Sequence, residues 1–312
     1  MRLKVSIITP LHNKGSYVAE TIQSVLEQTM TDWEMIIVEN GSTDSGPEVV
    51  LQFDDPRIRL VVSTKLGPGA ARNFGLNHAT GEWILFLDAD DLIMPGYLKE
   101  QIRVADVLPD ANIVAGCWQE FDGESIYPMA QINPSGYRRV GDEVEQSAIA
   151  FAPWALHAAI VKRSRFGGGI RWFEDLDGYP SEDTAFWFSV IQGAMIAWSD
   201  SSGALYRTAI LGSRNASPCS ERWFYSLKKV IKKNQETLLL QNKGISSKQC
   251  AVIMRTYESR YQMALRSGNQ SAADLFLEEA ERWLTKCEWN EISLVLRKLV
   301  GIRIMGNIRK FQ

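Results

Sequence analysis

The chain has 312 residues, a net charge of −3 and four cysteines. That length holds one large domain or a domain with an appendage, and the near-neutral charge gives no electrostatic footprint for nucleic acid. Cys117, Cys219, Cys250 and Cys287 form no CxxC pair, which argues against a zinc site or disulfide framework, and no apolar run is long enough to span a bilayer. Met1-Arg2-Leu3-Lys4 leads straight into a strand with no signal-peptide pattern. The expectation is a cytoplasmic protein, soluble or peripheral on the inner face of a membrane.

Residues 4–9 read as a first strand stopped by Pro10. Residues 17–28 read as a helix with Val18, Ile22, Val25 and Leu26 on one face. A strand over 33–38 ends in the small polar turn 39–44. A helix over 48–53, a strand over 58–62 and a helix over 70–79 follow, the last opened by the loop 65–69. Residues 83–87 are an uninterrupted apolar run, as in a strand buried on both faces of a parallel sheet. This alternation predicts a parallel α/β sheet with right-handed crossovers. The first strand–helix turn lacks both GxGxxG and GxxxxGK[ST], so neither the dinucleotide fingerprint nor a P-loop is present.

Beyond residue 91 a helix over 96–108 and a strand over 112–117 keep the α/β rhythm. Residues 121–141 read as an excursion over the ligand edge, and 154–161 as a strand. Ser181 can cap a helix over 184–192, with Glu182 and Asp183 in its first turn, where the dipole favours them. Strands over 195–198 and 204–207 follow. From 221 onward the pattern is helical, over 223–240, 247–267, 272–286 and 291–311.

The apolar run 83–87 leads into Asp88, Asp90 and Asp91. Ligands of an open α/β sheet sit beyond the carboxyl ends of its strands, so these acids lie at a ligand edge. Close carboxylates raise one another's cost of ionisation. A divalent cation relieves it, and a few hard oxygens suit Mg²⁺ or Mn²⁺ that shares its shell with phosphate. A solvated turn of helix-capping acids accounts for the same residues.

Five segments together carry a resemblance. They are Ser6-Ile7-Ile8-Thr9-Pro10 with Asn13, Ile37-Val38-Glu39-Asn40-Gly41-Ser42-Thr43-Asp44, Gly69-Ala70-Ala71-Arg72-Asn73, Leu87-Asp88-Ala89-Asp90-Asp91, and Glu182-Asp183. In this order and spacing they resemble a family 2 glycosyltransferase with the GT-A fold, over about the first two-thirds of the chain. The resemblance implies a mostly parallel central sheet flanked by helices. It implies a catalytic domain over 1–218, with a nucleotide-sugar half (1–117) and an acceptor half (118–218), and an α-helical C-terminal extension over 219–312.

It also implies roles. Asp90 and Asp88 hold a divalent metal, Mn²⁺ or Mg²⁺. Thr9, Pro10, Leu11, Glu39, Lys65, Arg72, Asp88 and Ala89 bind the nucleotide-diphospho-sugar donor, UDP-linked in the favoured reading. Asp183 is the general base and Glu182 orients the acceptor or the base. Trp154 is an acceptor-platform candidate because aromatic faces pack on sugar rings, core packing being the alternative. For Arg72 the alternative is a surface ion pair on its own helix; for Glu182 and Asp183 it is helix stabilisation alone. His12 can line the nucleotide cleft; His78 and His157 are read as structural.

The chain departs from the family pattern in three places. Glu39 and Asn40 stand where two aspartates are common. The closing loop 206–213 has no histidine, so Arg207 is a candidate diphosphate contact, weaker metal affinity being the alternative. The Gln-x-x-Arg-Trp motif is only half echoed by Cys219-Ser220-Glu221-Arg222-Trp223, which favours transfer of one sugar over polymer synthesis. Residues 294–311 combine an apolar surface with Arg297, Lys298, Arg303, Arg309 and Lys310. Such a helix can lie on an anionic membrane, where a lipid-linked oligosaccharide or other glycan acceptor would be met; docking on the catalytic domain is the alternative. A homodimer is left open. Competing functions are a non-catalytic nucleotide-sugar binding protein that lost turnover through its changed closing loop 206–213, and a metal-dependent nucleotidyltransferase or phosphohydrolase, which would not need Asp183.

Overall fold

The structure, a computed structural model, describes residues 4–127, 142–208, 220–288, 297–298 and 301–302. The chain divides into two compact units that interleave in sequence. The first comprises residues 1–143, 154–178 and 190–211, and the second 144–153, 179–189 and 212–312.

The first unit opens with β1 (Val5–Leu11), α1 (Val18–Leu26), β2 (Trp33–Glu39), α2 (Gly46–Val50), β3 (Ile58–Val62), α3 (Pro68–His78) and β4 (Trp83–Phe86). It continues with β5 (Leu92–Ile93), α4 (Tyr97–Val107), β6 (Ile113–Ala115), β7 (Trp118–Phe121), β8 (Ile126–Tyr127), β9 (Ala159–Lys162), β10 (Ile196–Trp198) and β11 (Ala204–Arg207). Its main sheet has seven strands in the order β10-β6-β9-β4-β1-β2-β3. β1, β2, β3 and β4 run parallel, as the alternation predicts, while β9 is antiparallel to both β4 and β6. A second, four-stranded sheet has the order β5-β11-β7-β8.

β1 and β2 lie inside the sheet, and Val5, Ile7, Ile8 and the run Met35 to Val38 are fully buried. A strand covered on both faces needs such an unbroken apolar run. Pro10 does not stop β1 but pairs with Val38 inside it. The β4 pairing ends at Ile8, so the missing N–H of Pro10 costs no ladder bond on that side. α3 packs directly on this layer at Gly75, where a Cβ would sit 2.5 Å from Ile8 and 3.1 Å from Val38.

The strand expected over 154–161 is shorter. A 3-10 turn over Leu156–Ala158 precedes β9. β5 carries no two-residue alternation long enough to read, and it forms by pairing with β11 from over a hundred residues away.

The second unit is helical: α5 (Asp142–Ser147) from residue 144 on, the first eight residues of α6 (Glu182–Ile191), α7 (Glu221–Leu240), α8 (Ser247–Arg266) and α9 (Gln270–Leu284). Phe224, Tyr257 and Phe276 bring α7, α8 and α9 together, with ring centroids 5.5–6.3 Å apart. Ser246 and Gln249 form a capping box that starts α8, two orphan N–H groups satisfied reciprocally. Asn234 of α7 donates to the Ile149 carbonyl at 2.9 Å, and the Ser226 hydroxyl donates to the Pro180 carbonyl. A buried ion pair joins Glu258 to Arg297 at 2.9 Å.

Ser181 does not cap α6 through its side chain. Its φ is +57°, and its buried hydroxyl has no hydrogen-bond partner among the described residues, whereas a capping residue takes an extended backbone that aims its oxygen at the helix. Apart from Arg297 and Lys298, the basic residues of the 291–311 segment lie outside the described residues, as do Cys219, residues 209–213 of the closing loop and residues 128–141 of the excursion.

Candidate active site

β1 and β2 end level, Leu11 opposite Glu39, and their turns clasp one another. Asn13, in a left-handed conformation (φ 51°) that Asn tolerates, accepts hydrogen bonds from the Thr43 N–H at 2.7 Å and hydroxyl at 3.1 Å. Asp44 accepts from the Gly15 N–H at 2.7 Å. Glu39 accepts from the Ser42 N–H at 2.5 Å and hydroxyl at 2.8 Å. Asn40 reaches the third turn, donating to the Lys65 carbonyl at 2.8 Å and accepting from Gly67 at 2.7 Å. The Leu11 side chain is buried, and its carbonyl accepts from Asn40 at 2.9 Å. The buried Thr9 hydroxyl has no hydrogen-bond partner among the described residues, while Pro10 beside it is half-buried. His12 lies with Nδ1 2.9 Å from the Asn40 carbonyl.

The acidic turn follows β4. Asp88 accepts from Arg72 at 2.6 Å. Arg72 is only 2 % exposed and stacks 4.2 Å from the Trp172 ring centroid. Its ion pair therefore crosses from α3 to the acidic turn and is not a surface pair on its own helix. Asp90, 13 % exposed, accepts from the Lys14 ammonium at 2.5 Å. Ala89 between them is buried. Asp91 accepts from the Arg207 N–H at 2.8 Å and lies 3.2 Å from Nδ1 of the fully buried His157. Burial, followed by the charges of Asp91 and Asp88, pushes the Asp90 carboxyl up to about 6 against the pull of Lys14. Burial works to lower the His157 pKa, but the Asp91 charge 3.2 Å away leaves it above the ordinary value.

The Arg207 guanidinium braces this turn. It donates to the Asp90 carbonyl at 2.7 Å and to Glu20 at 2.6 Å, between the rings of Phe121 and Tyr17 at 4.3 and 5.0 Å. Its present partners are thus protein groups. Lys65 is 70 % exposed and pairs with Glu174, which raises the Lys65 pKa. Glu174 also accepts from Asn73 at 2.8 Å. Asp177 caps α3 from outside, accepting from the N–H groups of Gly69 at 2.7 Å and Ala70 at 3.1 Å.

Glu182 is buried and Asp183 half-buried at the first turn of α6 in the second unit. Trp154 is 1 % exposed, so its ring takes the core-packing alternative and presents no face for a sugar.

A divalent ion is compatible with the acidic turn. Asp88 and Asp90 offer hard oxygens, and Asp90 is a buried acid crowded by its neighbours. Among the described residues no group of three or more His, Cys, Asp or Glu side chains is placed to hold a metal ion. Sequence reasoning missed Lys14, Glu174 and Asp177, and gave His157, which it read as structural, no place beside the acidic turn. Each is a single polar residue without motif spacing, brought to the edge by long-range packing. No helix among the described residues is long and apolar enough to cross a membrane.

The profile of the family described as glycosyl transferase family 2 matches residues 6–162. The chain is 32 % identical over 144 residues to the glycosyltransferase GlyA of Streptococcus pneumoniae, covering 45 % of this chain and 20 % of that one. It is 31 % identical over 121 residues to GlyG of the same organism, covering 38 % and 40 %. The chain thus spans less than half the length of these relatives. Among solved structures, Staphylococcus aureus TarS 1–349 in complex with UDP matches with a TM-score of 0.65 and 19 % identity over 99 % of this chain and 92 % of that one. The mannosyltransferase PcManGT of Pyrobaculum calidifontis, in complex with GDP-Man and Mn²⁺, matches with a TM-score of 0.55 and 19 % identity over 99 % and 87 %. These two likenesses bear on the fold, which is of the GT-A type.

Proposed function

The chain belongs to glycosyl transferase family 2, and on that premise we propose that it moves one sugar from a nucleotide-diphospho-sugar to a hydroxyl of a glycan or lipid-linked acceptor. The observation that carries the proposal is the Asp88–Asp91 turn at the carboxyl edge of the parallel strands, with Arg72 and Lys14 seated on its carboxylates. That edge is where an open α/β sheet takes its ligand. UDP and GDP-Man in the complexes of alike fold support a nucleoside-diphosphate donor, and UDP is the base we favour. Residues 1–117 then form the donor half and 118–218 the acceptor half.

Thr9, Pro10, Leu11 and Glu39 would border the nucleoside through backbone groups and the Glu39 carboxylate. Arg72, Lys65 and Arg207 would offer cationic donors to the diphosphate. Asp88 and Asp90 would hold Mn²⁺ or Mg²⁺, which when bound supplies charge compensation for the leaving diphosphate. Asp183 takes the acceptor hydroxyl proton, with Glu182 orienting the pair. The acceptor oxygen forms its bond to the anomeric carbon from the face opposite the diphosphate. The carbon–oxygen bond to the diphosphate breaks, its electron pair leaves with the nucleoside diphosphate, and the anomeric centre inverts. The basic segment 294–311 adds contact with an anionic membrane surface to this reading.

The test joins thermal unfolding with a transfer assay on wild type, Asp90→Ala and Asp183→Asn. A diphosphate at about a hundred times its dissociation constant should add roughly 2.7 kcal/mol, a midpoint shift on the order of 5–10 °C. The expected pattern is a Mn²⁺-dependent shift by one nucleoside diphosphate in wild type and Asp183→Asn, and none in Asp90→Ala. Transfer should fall by a factor on the order of 10²–10⁴ in Asp183→Asn. Undiminished transfer by that variant removes Asp183 as the base. No shift by any diphosphate removes the donor site.

A further inference from the structure

The Asp90 carboxylate already has a cation. Lys14 belongs to the turn between β1 and α1, where its own carbonyl accepts from the N–H groups of Tyr17 and Val18 at 2.9 Å each. That anchors its Cα against the start of α1. Its side chain is 29 % exposed, and its ammonium donates to Asp90 Oδ2 at 2.5 Å. The stem passes the Tyr17 ring, with Nζ 5.7 Å from the ring centroid, and the same ring carries the Arg207 guanidinium. Arg207 in turn holds the Asp90 carbonyl. The backbone of Asp90 is thus held by the Arg207 side chain, while its carboxylate is paired with an ammonium carried on a four-carbon stem with several rotatable bonds.

Asp90 is the acid that the glycosyltransferase reading gives to the divalent ion, and the inference rests on that reading. An ammonium and a divalent ion on one small carboxylate repel each other strongly in a partly buried site. We propose that Lys14 is a tethered counter-cation that occupies Asp90 in the metal-free protein and must leave before a divalent ion takes that carboxylate. A displaced Lys14 needs a new anionic partner at the same edge, and the donor diphosphate is one. Metal and nucleoside diphosphate then load cooperatively, each making room for the other.

The test reads metal binding without turnover. Binding of Mn²⁺ is followed by loss of the free-ion electron paramagnetic resonance signal, on the full chain, with and without UDP. Lys14→Gln should bind Mn²⁺ about five- to tenfold more tightly than wild type in the absence of UDP, and Lys14→Arg, which keeps the charge, should stay close to wild type. The gain in Mn²⁺ affinity brought by UDP should shrink in Lys14→Gln. Lys14→Ala serves as a second neutral variant, with circular dichroism confirming its fold. Equal or weaker Mn²⁺ binding by both neutral variants overturns the inference, as does absence of binding in wild type and both variants alike. Asp90→Asn separates the two levels. If it abolishes binding while the neutral Lys14 variants match wild type, only the role of Lys14 falls. If it leaves binding unchanged, the metal site itself falls, and the inference with it.

Discussion

Ser181 stands directly before Glu182 and Asp183 with φ at +57° and a buried hydroxyl that has no hydrogen-bond partner among the described residues. A left-handed non-glycine residue costs about 1–2 kcal/mol, and such strain collects at working sites. Ser181→Gly should raise stability by about 0.5–1 kcal/mol, read as a higher urea midpoint with an unchanged slope. A fall in transfer alongside that gain would mark the strain as part of the site; a lower midpoint would show that the hydroxyl is needed. Glu34, on β2, is a carboxylate whose neighbours set its titration. It accepts from Ser6 at 2.7 Å, from the Thr80 N–H and hydroxyl at 2.7 and 2.6 Å, and from Arg59 at 2.7 Å. Burial works to raise its pKa, but the hydrogen bonds of Thr80, Ser6 and Arg59 together hold it below its ordinary 4.5. A folded pKa below the unfolded one adds stability above the unfolded value, and that part is lost as pH falls through the folded one. The stability gap between wild type and Glu34→Gln should therefore be full near neutrality and narrow as pH drops below 4.5, measured by urea unfolding across pH.

At the scale of the element, α3 shows how much a helix can owe to a distant residue. Its Gly67 cap supplies no side chain, and Asp177 takes the place of a local cap across more than a hundred residues of sequence. A Cβ at Gly69 would sit 2.5 Å from the Asp177 carboxylate, so glycine is what lets the acid approach. Asp177→Ala should cost about 1 kcal/mol, and Gly69→Ala should lose much of its penalty in that background, since the two share one contact. Strictly additive losses in a double-mutant cycle would refute the coupling. α3 itself was legible, two residues late, from the Gly-Pro-Gly loop that opens it, whereas its cap was not, because nothing local points to Asp177. The same holds at the acidic turn. Its position after an apolar strand could be read directly, but Lys14, Arg207 and His157 meet it only because β1, β11 and the turn before β9 converge there.

For the whole molecule, the interleaving of the units has a consequence for where the chain can be cut. Residues 144–153 and 179–189 pack within the helical unit, where Asn234 holds the Ile149 carbonyl and Ser226 the Pro180 carbonyl. Removing everything after residue 218 takes away α7, α8 and α9 and leaves the segment that carries Glu182 and Asp183 without those partners. Hydrogen exchange over 179–189 should accelerate sharply in a 1–218 fragment. Protection equal to that of the full chain would show that the first 218 residues hold this segment unaided.

The sequence by itself determined the alternating strands and helices, the placing of the acidic turn at their carboxyl edge, and the helical character of residues 221–284. Those features follow from local periodicity and from the chemistry of adjacent residues, which any stretch of chain carries with it. The tertiary structure decided which cation sits on which carboxylate, that Trp154 goes into the core, that Ser181 takes a left-handed turn in place of a cap, and that two segments of the first 218 residues join the helical unit. Those outcomes depend on contacts between residues tens to hundreds of positions apart. Their energies come from burial and from pairing of charges in a partly dry interior, and no local pattern records them.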